Sequence, residues 1–524
     1  MREPPRGENA AATSQPAATD AALEVFAAGG NAVDAALSAA ICLAVTEPTS
    51  NGIGSDAFAL VWHDGALHGY NGSGRSPRGL APAEFLGRPE MPRLGWGSVT
   101  VPGAVETWRA LHRRFGRLSF TELFRPAIRH AREGFCLGPV TAVSWAAMGA
   151  RAAPGTAFAK RFPAFVEHFL PQGFEPRVGA VFRSEAAART LEEIAATGGE
   201  SFYRGRLARE IAAAAREAGG ALREADLAEH EGDWVKPLSV DYAGYTVHEL
   251  PPNGQGLSTL VALGILESRG DEVPSGDTGA ATHWLIEAMK IGLAEGAAHI
   301  ADPGHMRVRA ERLLDPAFLG SRARGLQADS AAAVYATPPK AFGTVNLAAA
   351  DADGMMISFI QSNFWGFGSG IVVPGTGISL QNRGYGFSTV PEHPNAVAPG
   401  KRPFHTIIPG FVTRGGLPDM AFGLMGGHMQ AQGHLQMAHR ILALGEHPQV
   451  ACDAPRWQVR EDFQLIFEDA FPEERIDALR RLGHPVAGRA PDIVFGGMQA
   501  VRRLPDGGYT AASDRRKDGY AAVC

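Results

Sequence analysis

An alternating apolar segment begins at Gly343-Thr344-Val345-Asn346-Leu347 and leads into a turn, Asp351-Ala352-Asp353-Gly354. A second alternating segment, Met355–Ser362, follows the turn. Alternation on both sides of a glycine-containing turn predicts a β-hairpin. We therefore expect Thr344 at the start of one strand, close to the end of its partner.

Thr344 is the candidate nucleophile of the chain. A threonine hydroxyl is a weak nucleophile inside a chain, but cleavage of the Gly343–Thr344 bond would place a free α-amino group beside it. That amine has an ordinary pKa of about 7.7–8.0 and can take the hydroxyl proton near neutral pH. With a four-residue hairpin loop, Thr344 lies opposite Gln361, and the Ser362 hydroxyl is within reach at about 5 Å. Without other signals, a Gly-Thr pair is more often a turn glycine before a strand.

The segment before Thr344 differs in composition from the rest of the chain. Residues 320–342 are rich in Ala, Ser, Gln and Asp, have no sustained period and contain Pro338-Pro339-Lys340 near their end. Such a segment is typical of an exposed connection, where a chain can be cut and its ends can separate. An ordinary surface loop is the alternative interpretation.

A glycine pair, Gly426-Gly427, lies between a predicted strand, Asp419–Leu424, and a helix predicted from about His428. The start of a helix presents unpaired backbone N–H groups. Such groups stabilise a developing oxyanion, so the pair is a candidate oxyanion hole. The alternative is a tight turn that needs positive φ angles.

Two patterns near the start of the chain predict local structure. Asn31 can cap a helix that is rich in Ala and Leu and runs to about Val45. The alternation from Phe58 to Tyr70 around Asp64-Gly65 predicts a second hairpin.

The composition excludes several classes of function. The 524 residues are 45% hydrophobic and 20% charged, which is typical of a soluble globular protein with several domains or one large mixed architecture. A net charge of −6 without a basic stripe argues against a nucleic-acid partner. The four cysteines form no CxxC pair, and no histidine pair has HExxH spacing. We expect no disulfide framework, no metal and no cofactor.

The N-terminal sequence and the hydropathy predict a cytoplasmic protein. No apolar segment typical of a signal peptide follows Met1-Arg2-Glu3-Pro4-Pro5-Arg6. The most apolar run, from Ala35 to Val45, is too short to cross a bilayer. We therefore expect no membrane partner.

Further motifs occur in an order that is typical of one family. They are Ala27-Ala28-Gly29-Gly30-Asn31-Ala32-Val33-Asp34-Ala35-Ala36, Glu47–Gly54, Val101-Pro102-Gly103, Pro126-Ala127-Ile128, Asp302-Pro303, Asp353-Gly354, Phe367–Gly370, Lys401-Arg402-Pro403, Gly426-Gly427 and Ser513-Asp514. Over nearly its whole length, the chain resembles the γ-glutamyltransferase family of N-terminal nucleophile hydrolases. The resemblance implies an α/β (α+β) fold, a four-layer αββα sandwich.

The resemblance also implies a precursor that cuts itself between Gly343 and Thr344. Residues 1–343 would form a large subunit and residues 344–524 a small one, together one αββα unit, and the two subunits could pair into a dimer of heterodimers. Thr344 would be the nucleophile, with its new α-amino group as the general base. Gly426 and Gly427 match the oxyanion hole of the family, and Ser362 matches a threonine that hydrogen-bonds the nucleophile.

The chain departs from the family where a γ-glutamyl group is recognised. Val345 and Asn346 replace a threonine and a histidine that follow the nucleophile in transpeptidases. The arginine that binds the glutamyl carboxylate is absent or displaced to Arg75, and Gly386 replaces the aspartate that binds the glutamyl ammonium. His405-Thr406 replaces two serines. The resemblance thus implies that the catalytic residues are kept and the substrate pocket is different.

Three strings resemble the oxamate amidohydrolase-like branch of the family, whose chemistry belongs to purine (allantoin) breakdown. They are Gln361-Ser362-Asn363-Phe364, Gln381-Asn382-Arg383-Gly384 and Pro403–Pro409. This resemblance implies a small carboxylated amide as substrate, preferably oxamate, which would give oxalate and ammonia. Arg75 or Arg383 would hold the carboxylate, with Asn363, His405 and Thr406 completing the pocket. A structural ion pair is the alternative for either arginine.

Three other functions remain open from the sequence. The first is a γ-glutamyltransferase or glutathione hydrolase. The second is an unprocessed, non-catalytic protein that binds small acids. Val345 and Asn346 leave this possibility open, because they replace residues that follow the nucleophile in transpeptidases. The third is a β-lactam acylase or another acylase of the same family.

Overall fold

The computed structural model describes residues 6–332 and 344–524, so Gly343 and residues 333–342 of the predicted connecting segment lie outside the described residues. The helices are α1 (Pro16–Ala27), α2 (Ala32–Thr46), α3 (Ala104–Phe115), α4 (Arg125–Glu133), α5 (Pro139–Arg151), α6 (Ala157–Arg161), α7 (Pro163–Phe169), α8 (Glu185–Ala196), α9 (Glu200–Arg204), α10 (Arg206–Glu217), α11 (Glu224–Ala228), α12 (Gly256–Arg269), α13 (Gly279–His299), α14 (Ala310–Leu313), α15 (Pro316–Ala323), α16 (Met429–Ala438), α17 (Pro448–Asp453) and α18 (Glu473–Arg481). The strands are β1 (Ala10–Thr13), β2 (Asp56–His63), β3 (Ala66–Asn71), β4 (Phe135–Cys136), β5 (Val181–Phe182), β6 (Asp233–Val235), β7 (Leu238–Tyr242), β8 (Tyr245–Glu249), β9 (Val345–Ala350), β10 (Met356–Ser362), β11 (Val372–Val373), β12 (Ile378–Ser379), β13 (Pro409–Arg414), β14 (Leu417–Met425), β15 (Trp457–Val459), β16 (Leu465–Phe467), β17 (Val486–Arg489), β18 (Gly497–Arg503), β19 (Tyr509–Ser513) and β20 (Tyr520–Val523).

Two antiparallel sheets lie at the centre of the molecule. The first has the strand order β20-β1-β9-β10-β2-β3-β6, and the second has the order β19-β18-β14-β13-β8-β7. Apolar side chains fill the space between them, among them Phe58 and Ile360 from the first sheet and Phe411 and Val501 from the second.

Helices cover the outer face of each sheet. Helices α1 and α2 pack on the first sheet, and α12 and α16 pack on the second. Because layers lie on both sides of each sheet, the central strands are buried on both faces and carry apolar residues almost continuously, as in β9. The arrangement is a four-layer αββα sandwich, as the sequence predicted.

The two local predictions near the start of the chain are confirmed. Asn31 caps α2 by accepting the backbone N–H of Asp34, whose carboxylate accepts the N–H of Asn31 in return. Strands β2 and β3 pair around Asp64 and Gly65, which have φ angles of 49° and 75°. Two positive φ angles are what a two-residue type I′ hairpin turn requires.

The hairpin that follows Thr344 is confirmed, but its predicted register is wrong by one residue. Ala350 pairs with Met356 and Val345 pairs with Gln361, so continuation of the ladder sets Thr344 opposite Ser362. With the additional backbone contact between Asp351 and Met355, the loop consists of residues 352–354 and is shorter than the predicted loop 351–354. The Asp351 carboxylate stabilises it by accepting the N–H groups of Asp353 and Met355. The backbone N–H of Asp351 also donates to Met355 O, which extends the ladder by one pair.

Among the residues that the structure describes, no helix combines the length and the apolar character needed to cross a membrane.

Candidate active site

Thr344 is buried at the end of the first sheet, immediately before β9. Its hydroxyl donates to the Ser362 hydroxyl at 3.2 Å, as the hairpin predicted. The side chain of Gln430 donates to the same Thr344 oxygen through Nε2 at 3.1 Å. Gln430 belongs to the first turn of α16, so two distant parts of the chain meet at this hydroxyl.

Asp56 lies at the same end of the sheet, on the next strand, β2. It is the first residue of β2 and pairs with Ser362 in the ladder between β2 and β10. Its Oδ1 atom accepts the backbone N–H of Gly103 at 3.0 Å and that of Gly74 at 3.3 Å. Burial raises the pKa of Asp56 to about 7, although Arg383 and these two N–H groups act in the opposite direction.

His405 lies against Asp56, with its Nε2 atom 3.2 Å from Asp56 Oδ2. Its other ring nitrogen, Nδ1, faces the backbone N–H of Ile407 at 3.4 Å. Because Nδ1 accepts there, the ring proton belongs on Nε2 and is donated to Asp56. Burial, together with Arg383 and Arg402, holds the pKa of His405 well below its usual value, so the imidazole is neutral.

Arg383 is completely buried and only partly hydrogen-bonded. Its Nη1 atom donates to Thr406 Oγ1 at 2.9 Å, and its guanidinium lies 4.5 Å from the centre of the Phe364 ring. Within the described part of the chain, its Nε and Nη2 atoms have no hydrogen-bond acceptor. Burial lowers the pKa of Arg383 to about 9, and nearby Asp56 opposes this shift.

The Nε and Nη2 groups point from one edge of the planar guanidinium, so they form a fork of two parallel donors. A buried donor without an acceptor costs about 1–3 kcal/mol, and a carboxylate would satisfy both at once. We call Arg383, Asp56, His405 and Thr406 the Arg383 cluster. It brings together three of the five residues that the sequence predicted for substrate binding.

The other two predicted substrate-binding residues have partners elsewhere. Arg75 is nearly half exposed and forms an ion pair with Asp302 at 2.7 Å, so the alternative of a structural ion pair holds for this residue. Asn363 is buried, but its Oδ1 atom accepts from Ser55 and its Nδ2 atom donates to Ser379. Both the oxygen and the nitrogen of its amide therefore have protein partners, and the amide links the segments around Ser55 and Ser379.

Gly426 and Gly427 form the turn between β14 and α16, with φ angles of 140° and 60°. Both angles favour glycine, as the turn interpretation requires. The carbonyl of Gly427 accepts from the Gln255 side chain at 2.8 Å, which fixes the orientation of this peptide plane. The predicted oxyanion role of the two N–H groups stays a prediction.

A cavity of about 520 Å³ lies beside Gly426. Its wall contains the rings of Phe158, Phe165, Trp365 and Phe367 and the cations Arg93, Arg151 and Lys517. The described residues that line it include no Asp or Glu. The cavity therefore suits an apolar group that carries negative charge.

The described residues contain one group with the donor types of a metal site: His283, Glu287 and His484. The ammonium of Lys290 contacts two of its members, at 2.8 Å from Glu287 Oε1 and 3.3 Å from His484 Nδ1. The two imidazoles bond to each other at 2.7 Å, and His283 bonds onward to the carbonyl of Gln327. We call these four side chains the Lys290 cluster. Since an ammonium already satisfies its acceptors, the cluster does not fit a metal ion.

Sequence reasoning did not nominate Asp56 or Gln430. Asp56 carried a usable signal, because a charged residue at the start of a largely apolar strand is rarely buried unless it has a partner. Gln430 carried a weaker signal, since it lies three residues after Gly427 in the first turn of the predicted helix. Neither signal indicates which distant residue is the partner.

The chain is similar to known proteins over nearly its whole length. The sequence profile described as gamma-glutamyltranspeptidase matches residues 18–524. The chain is 34% identical over 513 residues to the glutathione hydrolase-like YwrD proenzyme of Bacillus subtilis, with 96% of each chain covered. It is 34% identical over 518 residues to the oxamate amidohydrolase proenzyme of Klebsiella pneumoniae, again with 96% of each covered.

A solved structure is similar over the full length. The crystal structure of cephalosporin acylase from Bacillus halodurans matches with a TM-score of 0.94 and 45% identity, covering 100% of this chain and 97% of that one. The curated relatives are named as proenzymes, which supports processing into two subunits. The chain therefore belongs to the gamma-glutamyltranspeptidase family of N-terminal nucleophile hydrolases, enzymes that act on C–N bonds.

Proposed function

We propose that the protein is a self-processing amidohydrolase that uses Thr344 to cleave a small amide whose acyl part carries a carboxylate. One observation carries the proposal: Arg383 is buried beside the Thr344 end of the sheet with two parallel donors that have no acceptor among the described residues. A substrate carboxylate is the natural partner of such a fork.

Maturation would use the same hydroxyl. Thr344 Oγ1 attacks the carbonyl carbon of residue 343, and the acyl group moves from the threonine nitrogen to its oxygen. Water then hydrolyses this ester, which frees the carboxyl group of residue 343 and leaves the α-amino group and hydroxyl of Thr344. The products would be subunits 1–343 and 344–524.

Catalysis would repeat the attack on an external amide. Thr344 Oγ1 bonds to the amide carbon while its proton passes to the α-amino group. The N–H groups of Gly426 and Gly427 would stabilise the oxyanion, and the C–N bond then breaks as the amine leaves with that proton. Water hydrolyses the acyl ester, which releases the acid and restores the hydroxyl.

The pocket is poorly suited to a γ-glutamyl group. A Cβ atom on Gly386 would lie 2.5 Å from the carbonyl oxygen of Phe404, so a side chain does not fit where the family has its aspartate. A glutamyl ammonium would then be buried without a partner, which costs several kcal/mol. Oxamate has a carboxylate and no ammonium, and it is our preferred substrate.

An ammonia-release assay on oxamate, glutamine and glutathione tests the proposal. We expect turnover of oxamate, with kcat/KM at least about 100-fold above that for glutamine or glutathione. Equal turnover of glutathione would contradict the proposed pocket and favour a glutathione hydrolase. A wild-type chain that stays uncut on a denaturing gel and has no activity would favour the non-catalytic alternative.

A second candidate function is an acylase that releases a large amine. The cavity beside Gly426 favours it, because ammonia needs no space lined by four aromatic rings. The similarity to a cephalosporin acylase points the same way. Comparing oxamate with its N-phenyl derivative separates the candidates, since both share the acyl group and differ only in the leaving amine. A strong preference for the N-phenyl amide would make the acylase the better description.

A further inference from the structure

Gln430 contacts the oxygen of Thr344 in a way that fixes the direction of the hydrogen bond. Its Oε1 atom accepts the backbone N–H of Ile408 at 3.1 Å. Its Nε2 atom lies 3.1 Å from Thr344 Oγ1. A flipped amide would set an NH₂ group against the Ile408 N–H, so Nε2 must face the threonine and donate to it.

The neighbouring serine completes the pattern. Ser362 Oγ accepts the backbone N–H of Phe364 at 2.8 Å and the hydroxyl proton of Thr344 at 3.2 Å. Thr344 Oγ1 therefore gives its proton toward Ser362 and receives an N–H from Gln430 on another side. A donor aimed at this oxygen becomes stronger as negative charge develops there.

We propose that Gln430 is a catalytic residue that stabilises negative charge on Thr344 Oγ1, an inference that rests on Thr344 being the nucleophile. The oxygen becomes negative twice: when it loses its proton during attack, and when it is expelled as an alkoxide from the acyl ester. The Gln430 amide stays neutral and transfers no proton. The hydrogen bond that Gln430 Oε1 accepts from the Ile408 N–H holds the amide in place before the reaction, so little reorganisation is needed.

The same helix supplies a matched control. Gln432 is also buried, and its side chain bonds to both the carbonyl and the N–H of Val459. The oxygen and the nitrogen of the Gln432 amide therefore each have a hydrogen-bond partner, as in Gln430, but neither partner is Thr344. Loss of either amide should cost similar stability, whereas only Gln430 should affect the chemical step.

The test compares Gln430→Met with Gln432→Met in folded, fully processed enzyme. We expect Gln430→Met to lower kcat by about 10- to 100-fold relative to Gln432→Met, with KM changed by less than about twofold. The rate of self-cleavage should fall in parallel, because the same oxygen attacks. Values of kcat within about twofold of each other would overturn the proposal.

A second variant excludes a purely structural role. Gln430→Glu keeps an oxygen that can accept from Ile408, but it donates to Thr344 only when the carboxyl group is protonated. We expect kcat of this variant to fall with rising pH through an ionisation that is absent from the wild type and from Gln432→Met. A pH profile parallel to the wild type between about pH 5 and 9 would mean that the donor has no catalytic role.

The failure of this inference differs from a failure of the proposed function. If Thr344→Ala is still cut and still active, Thr344 is not the nucleophile and the proposed function fails with it. If Thr344→Ala is inert while Gln430→Met behaves like Gln432→Met, the nucleophile stands and only the role of Gln430 is lost.

Discussion

The Arg383 cluster and the Lys290 cluster are both buried and charged, but they differ in how far their hydrogen bonds are satisfied. In the Lys290 cluster, the ammonium, the carboxylate and both imidazoles form one connected network. In the Arg383 cluster, two donors of a fully buried guanidinium have no acceptor among the described residues.

The difference separates structure from function. A closed network such as the Lys290 cluster holds α13 and the region around His484 together, and none of its side chains has an unsatisfied polar atom in the described part of the chain. The Arg383 cluster is open, and each of its unpartnered donors lowers the stability of the fold by about 1–3 kcal/mol. Such a cost is most easily explained if a ligand satisfies the donors when it binds.

The largest effect is expected at the hydroxyl beside the Arg383 cluster. Thr344→Ala removes the only atom that we assign to attack, so activity should fall by about 10⁶-fold, the scale on which loss of an enzyme nucleophile acts. Amide hydrolysis is the measurement. Residual activity within tenfold of the wild type would show that Thr344 is not the nucleophile.

Removal of the cation from each cluster should give opposite results. Arg383→Met should raise KM for a carboxylated amide by about 30- to 3,000-fold, which corresponds to about 2–5 kcal/mol. Lys290→Met should leave KM unchanged but lower the free energy of unfolding by about 3–5 kcal/mol, because Glu287 stays buried without its partner. Substrate kinetics and denaturant unfolding measure the two effects. An unchanged KM for Arg383→Met would remove the distinction between the clusters.

A new carboxylate next to the Arg383 cluster should be tolerated poorly. Gly386→Asp forces a Cβ atom against the Phe404 carbonyl, so we expect a loss of about 1–3 kcal/mol in the free energy of unfolding. It should not create glutathione hydrolysis, since the side chain has no space to turn toward a ligand. Efficient glutathione turnover by this variant would show that Gly386 alone sets the specificity.

The smallest effect is a pH dependence of substrate binding. The pKa of Asp56 is raised to about 7, so this carboxyl is neutral below that pH and negative above it. Its charge competes with a substrate carboxylate for Arg383, so KM should rise by about tenfold as the pH passes above 7. Asp56→Asn should abolish the rise, and an uncharged amide substrate should not show it. A rise that persists in Asp56→Asn would assign it to another group.

Local signals predicted the fold well. The cap at Asn31, the turn at Asp64-Gly65 and the hairpin after Thr344 depend on residues close in sequence, and all three are present. The hairpin register was missed by one residue because the side chain of Asp351, rather than the backbone alone, sets the loop length. A pattern of apolar alternation carries no information about that bond.

The site was predicted less completely, because its contacts join distant parts of the chain. Arg75 and Arg383 were equivalent in sequence, and only the positions of Asp302 and Thr406 separate an ion pair from an open fork. The contact between Gln430 and Thr344 depends on how α16 meets the start of β9, which follows from the packing of two sheets. No local sequence preference specifies the contact between these two residues.

Mass spectrometry of the purified wild-type protein tests the central claim most directly. If Thr344 is the nucleophile of a self-processing enzyme, two polypeptides should be present, and the smaller should begin at Thr344. The Thr344→Ala variant should give one mass for the uncut chain. A wild-type protein of a single full-length mass, or a small subunit that begins at another residue, would contradict the account.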